Sequence, residues 1–314
     1  MQITKRDTKS QTAYSKWAAS FKQDIFSYLL LFPALAIIFV FHYLPMPGII
    51  VAFKDYDMFQ GVLKSPWVGL THIIDIFRIP ALSMAVVNTL KLSLLTLVVG
   101  FPAPIVLALL INEIRGDGFK RVVQTMSYLP HFLSWISVVG LTYAMFANYG
   151  PINDLRVLLL GQGTERIMFL SKQELFMPIV LLLNVWKEVG WGTVVYLAAI
   201  TSIDPGLYEA AYIDGASRFQ QTIKITIPSI LPTTIILLIF SLGGLFKSNF
   251  ELIYGMQNPY INFDVISTIV YTTGIKDGNY SMAAALGFME GLIALLLVLG
   301  SNYFSKKVSN IAII

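Results

Sequence analysis

Long apolar runs alternate with short polar ones along most of this chain, and run length decides what each is. A helix needs about 20 mainly apolar residues to cross a bilayer. Runs of that order occupy 26–44, 85–111, 122–147, 176–200, 230–254 and 282–304. The pattern predicts an all-α integral membrane protein with about six transmembrane helices. Pro45 and Pro47 end the first run, and Gly100, Pro102 and Pro104 are expected to bend the second. The connector 54–80 is polar and turn-rich, with Trp67 placed as an interfacial anchor. Connector 148–172 opens on the turn signal Asn148-Tyr149-Gly150-Pro151, and its apolar stretch 155–160 is too short to span. A further connector covers 255–280.

One polar stretch, 201–229, reads as more than a connector. Asp204-Pro205 is a helix start, because Asp caps exposed N–H groups and proline suits the first turn. Glu209-Ala210-Ala211 favours helix, and Asp214-Gly215 is a turn dipeptide. A second short helix is expected over 216–227, ending near Pro228. The prediction is therefore a helix pair joined at a glycine, lying at a membrane face.

Composition narrows the class. The 314 residues are 56% hydrophobic and 13% charged, against about 25% charged in an average soluble chain. The net charge of +4 suits loops facing anionic lipid and needs no nucleic-acid partner. There is no cysteine, which excludes disulfides and thiolate metal sites. His42, His72 and His131 form no ligand pair at helical spacing, so no metal site is expected. Without a GxxxxGK[ST] sequence, the chain is not expected to hydrolyse nucleotide.

Basic residues set the orientation. One side gathers Lys5, Arg6, Lys9, Lys16, Lys22, Arg115, Lys120, Arg121, Arg218, Lys224, Lys306 and Lys307; the other has Lys54, Lys64, Arg78, Arg156, Arg166, Lys172 and Lys276. The bias places both termini and 201–229 in the cytoplasm. Residues 1–25 then form a cytoplasmic tail, 26–305 the transmembrane domain and 306–314 a second tail. The polar, basic start is not a cleaved signal peptide, since the apolar run behind it is too long.

With 201–229 so placed, Glu209-Ala210-Ala211, Asp214-Gly215-Ala216, Ile225, Pro228 and Pro232 resemble the EAA loop of ABC-importer permeases. Asn88-Thr89-Leu90, the stretch 108–113, Tyr128-Leu129-Pro130-His131-Phe132 and Phe250-Glu251-Leu252-Ile253-Tyr254 before Asn258-Pro259 resemble the branch that imports oligosaccharides released from polysaccharides. Thr222 departs from the pattern, where a bulky residue is usual. The resemblance implies a type I ABC importer permease fold in a bacterial cytoplasmic membrane. It implies a second homologous permease, an ATP-binding subunit dimer and an extracytoplasmic solute-binding protein as partners. ATP and Mg belong to the partner ATPase, and no cofactor is expected in this chain. Glu209, Ala210, Ala211, Asp214, Gly215 and Ala216 would be the coupling element seated in the ATPase. Their types suit that role: the alanines allow close backbone approach, the glycine a sharp turn, and the carboxylates charge-assisted bonds.

Polar residues inside the spans are candidates for a substrate pathway, because an ionisable group at mid-bilayer costs about 2.5–3.5 kcal/mol on insertion scales. They are Asn184, Trp186, Lys187 and Trp191 in the fourth run and Lys247, Asn249 and Glu251 in the fifth. Aromatic faces stack on sugar rings, and amides and charges bond hydroxyls or carboxylates. A packing reading stands beside this one: Lys247 and Glu251, at i,i+4, would neutralise each other, and Trp191 and Tyr196 would be packing or interfacial residues. Lys187 and Glu188 point about 100° apart and should not form a simple local pair. Two other classes fit the sequence less well. A stand-alone secondary carrier typically shows repeats and more spans, and an intramembrane enzyme would need a set such as HExxH or GxSxG, absent here.

Overall fold

A computed structural model describes residues 24–244 and 248–309. Residues 1–23 of the expected tail 1–25, Lys247, and residues 310–314 of the expected tail 306–314 lie outside the described residues. The chain divides into two compact units, 1–50 and 51–314. In the first, α1 (Ile25–Ile38) continues as a wider turn over Phe39–Tyr43. Its side chains are almost all exposed, as suits a lipid-facing helix.

The second unit is helical throughout, with one isolated bridge, Lys54 to Trp67, among the described residues. After a single helical turn at Gly61–Lys64, its helices are α2 (Thr71–Arg78), α3 (Pro80–Leu95), α4 (Pro102–Asn112), α5 (Asp117–Tyr128), α6 (Trp135–Met145), α7 (Pro151–Leu160), α8 (Gln173–Thr201), α9 (Pro205–Ile213), α10 (Arg218–Gln221), α11 (Ile227–Gly243), α12 (Phe250–Met256), α13 (Ile266–Tyr271) and α14 (Tyr280–Ser309). Among the described residues, five continuous stretches are long and apolar enough to cross a membrane: Ile25–Phe53, Pro80–Asn112, Gln173–Thr201, Arg218–Gly243 and Tyr280–Tyr303.

The remaining expected span, 122–147, is broken. The chain leaves α5 at Tyr128, makes a tight turn over Leu129–Phe132 and restarts at Trp135. Pro130 lacks an N–H, and Ser134 caps the new helix by accepting from the Ser137 N–H. The fifth run is also cut short. α11 ends at Gly243 and α12 starts afresh on Asn249, whose side chain accepts from the Leu252 N–H at 3.0 Å. Asn249 and Glu251 therefore belong to a capped helix start, not to a continuous span.

Pro45, Pro102 and Pro228 are each preceded by a wide turn. Leu44 bonds back five residues to Phe39, Phe101 to Thr96, and Ile227 to Thr222, and in each case the next residue is proline. A proline inside a helix clashes with the carbonyl four residues earlier, and widening the turn just before it relieves that clash. This corrects the expectation that the helix after Gly215 stops at Pro228. Arg218 to Gly243 runs on through it.

α8 is the centre of the unit, packed against α3, α4, α5, the 129–132 turn and α11. Close approach there depends on small residues, the rule for helices in lipid. A Cβ on Gly190 would collide with the Ser127 carbonyl, and one on Gly192 would meet Pro104 at 2.8 Å. Elsewhere polar caps bind distant segments. Asn88 donates to the Asp264 carbonyl at 3.0 Å, and the Thr89 hydroxyl accepts from the Ile266 N–H at 2.9 Å. The Asn88-Thr89 pair thus fixes α3 to the start of α13.

Candidate functional site

Two regions gather the functional candidates. The first is the helical hairpin 204–226. Asp204 caps α9 by accepting from the Gly206 N–H at 2.9 Å. At the other end Gly215 takes φ +79°, a conformation costly for any residue with a Cβ. The Gly215 N–H bonds to the Tyr212 carbonyl, and the Ala216 N–H to that of Ala211, the paired bonds that close a helix on a left-handed glycine. Ser217 and Gln220 then form a reciprocal capping box that starts α10. These successive caps make the turn rigid.

The hairpin is tied down on one side and open on the other. Tyr208 on α9 shares a 2.9 Å hydrogen bond with buried Thr226 in the wide turn before α11. Arg218 lies 3.4 Å from Glu113 at the end of α4. Outward it presents Tyr212, Ile213 and Phe219, all more than 70% exposed. Glu209, Ala210, Asp214 and Gly215 are exposed as well, while Ala211 and Ala216 are half-buried. Exposed apolar side chains on a capped, rigid turn form a surface suited to a partner protein. Thr222 bonds its hydroxyl to the Arg218 carbonyl and supplies the carbonyl that opens the wide turn.

The second region is a cavity of about 930 Å³ between α3, α4, α6, α8, α11 and α12, at the upper end of the roughly 300–1,000 Å³ typical of small-molecule sites. Of the sequence-predicted residues, Asn184, Trp191, Asn249 and Glu251 line it, joined by Glu188, Trp135, Tyr196 and Phe250. The Tyr196 hydroxyl is buried without a well-formed hydrogen bond among the described residues, Thr234 being the side chain that approaches it.

Trp186 and Lys187 do not line the cavity. Trp186 points elsewhere on α8, half-exposed. Lys187 is 4% exposed, and its ammonium donates to the His131 carbonyl at 2.7 Å and stands 4.8 Å from the Trp135 ring. It satisfies a carbonyl freed by the 129–132 break. The same ammonium lies 3.7 Å from Glu188, so the neighbours do approach, contrary to the sequence expectation. Long side chains reach sideways what their helix angle separates. Glu188 accepts from His131 Nδ1 at 2.9 Å. The His131 ring stacks on Trp191, 4.7 Å between centroids and 3° between planes, with Phe132 set edge-on to the indole. Helix α8 and the broken segment thus build one aromatic platform at the cavity. His131 and Glu188 lie 57 positions apart, so only the local Tyr128–Phe132 motif hinted at it.

A further cluster adjoins the cavity. Phe250 stacks on Tyr254, 5.1 Å and 16°, and Tyr271 lies 5.1 Å from each. Lys276 Nζ stands 5.0 Å from the Tyr254 ring and 5.8 Å from that of Tyr271. Hydrogen bonding to Tyr254 is the largest influence raising the Lys276 pKa, and the group is a firm cation at neutral pH. The i,i+4 spacing of Phe250 and Tyr254 was the available signal. Tyr271 and Lys276 came from a stretch read only as a connector.

A membrane-spanning helical subunit with a cavity among its inner helices and a rigid, exposed hairpin is the architecture of a transport permease. Residues 100–310 match the family described as binding-protein-dependent transport system inner membrane component, and the chain belongs to that family, as a membrane permease of an ABC importer. The chain is 42% identical to Protein LplB of Bacillus subtilis over 96% of both sequences. It is also 42% identical to the polygalacturonan/rhamnogalacturonan transport system permease protein YteP of the same organism, over 91% of this chain and 89% of YteP. Its fold matches a chain from a bacterial ABC transporter involved in the import of the acidic polysaccharide alginate, with TM-score 0.85, 39% identity, and coverage of 94% of this chain and 99% of that one.

Proposed function

We propose that this chain is the permease subunit through which an ATP-driven importer passes an acidic oligosaccharide across the bacterial cytoplasmic membrane by alternating access. The observation that carries the substrate class is near-full-length likeness to a permease for polygalacturonan and rhamnogalacturonan and to one from an alginate importer. A second structure of the alginate transporter, matching at TM-score 0.85, is a complex with an alginate pentasaccharide-bound periplasmic protein. That precedent supports a solute-binding protein as the donor of sugar here.

The remaining partners are a second homologous permease and a dimer of ATP-binding subunits carrying ATP and Mg. Hydrolysis occurs there, and this chain contributes no catalytic group. Glu209, Ala210, Ala211, Asp214, Gly215 and Ala216 form the coupling element, with Tyr212, Ile213 and Phe219 seated in a cleft of the ATPase. The hairpin and both termini face the cytoplasm, and 54–80, 148–172 and 255–280 face outward. Within the membrane, Asn184, Trp191, Asn249 and Glu251 contact the moving sugar. A gradient-driven carrier is disfavoured by the family to which the chain belongs.

The test is co-expression with the candidate second permease and ATPase. The reading expects the chains to purify together and a sugar-loaded binding protein to stimulate ATP hydrolysis severalfold. Failure of the ATPase to associate with the permease pair would overturn it.

A further inference from the structure

The aromatic cluster beside the cavity is a continuous string with a cation at its end. Phe250 belongs to the cavity lining, and Tyr254 and Tyr271 each lie one ring-contact away from it. All three rings are half-buried, so each is held by packing yet retains an accessible part. Lys276 is exposed, with its ammonium over both phenol rings. An ammonium has three donors with which to meet a ligand.

Charge makes this cluster informative. Among the described residues lining the cavity, the ionisable carboxylates Glu188 and Glu251 have no lysine or arginine beside them in the lining. Lys187, 3.7 Å from Glu188, is buried against the His131 carbonyl and Trp135. Lys276 presents an exposed cation that an anionic sugar can meet. Tyrosine rings offer faces for the apolar side of a pyranose, and an ammonium forms charge-assisted bonds with a carboxylate.

We propose that Tyr254, Tyr271 and Lys276 form a subsite for a uronate unit, the rings taking the pyranose face and Nζ the carboxylate, from which the chain passes Phe250 into the cavity. This rests on the oligosaccharide reading above and adds the group that reads charge.

Proteoliposomes carrying the complete importer would be given tetragalacturonate or tetramannuronate, each as free acid and as methyl ester. The ester keeps the ring and removes the charge. Lys276→Gln should lower uptake of the free acid about tenfold, the loss of one charged hydrogen bond, and leave ester uptake unchanged, with Lys276→Arg restoring the acid. Tyr254→Leu with Tyr271→Leu should lower uptake of both forms. An equal effect of Lys276→Gln on acid and ester, or none, overturns this subsite alone. Absence of uptake of every sugar by the unaltered complex overturns the oligosaccharide reading and the subsite with it.

Discussion

Two tryptophans five positions apart on α8 illustrate how far residue type carries the reading. Both are large aromatics in an apolar run, and sequence alone made both pathway candidates. The fold separates them: Trp191 lines the cavity with His131 stacked on its indole, and Trp186 does not line it. Trp191→Ala should lower sugar uptake about tenfold, the order expected for losing a stacking face, while Trp186→Ala leaves it near normal. Uptake with each variant in the intact importer checks this, and a larger loss from Trp186→Ala would contradict the placement. Lys187 carries the same lesson for charge. Its burial in the span was legible as costly, but its partner was not, because the His131 carbonyl becomes available only once the helix around Pro130 breaks.

At the scale of elements, span existence was legible and span continuity was not. Hydropathy registers composition, and a break over Leu129–Phe132 changes composition very little. What breaks the helix is local chemistry, a proline and a Ser134 cap in one case and an Asn249 cap in the other. The converse error occurred at Pro228, where a proline that looked terminal is absorbed by a wide turn. The hairpin was the most legible element, since Asp204 and Gly215 act through bonds within a few residues. Its left-handed glycine gives a sharp prediction. Proline requires φ near −65° and cannot adopt +79°, so Gly215→Pro should abolish uptake and ATPase stimulation while the protein still inserts and joins the proposed second permease. Normal stimulation of ATP hydrolysis by loaded binding protein in that variant would remove the hairpin from the coupling path.

At the scale of the whole molecule, the parts form a single connection. The hairpin is bonded through Tyr208 to Thr226 at the root of α11, and α11 supplies Leu237, Phe240 and Ser241 to the cavity. In the proposed coupling, a push on the hairpin would reach a helix that walls the cavity, with the wide turn at 222–226 between them. That geometry suits an importer whose energy comes from another subunit. The decisive measurement is sugar uptake by sealed proteoliposomes holding this chain with the proposed second permease, ATPase pair and binding protein. ATP supplied to the ATPase side should drive accumulation of uronate oligosaccharide without any ion gradient, and only when binding protein is present on the opposite side. Accumulation driven by an imposed proton or sodium gradient in the absence of ATP would contradict the account.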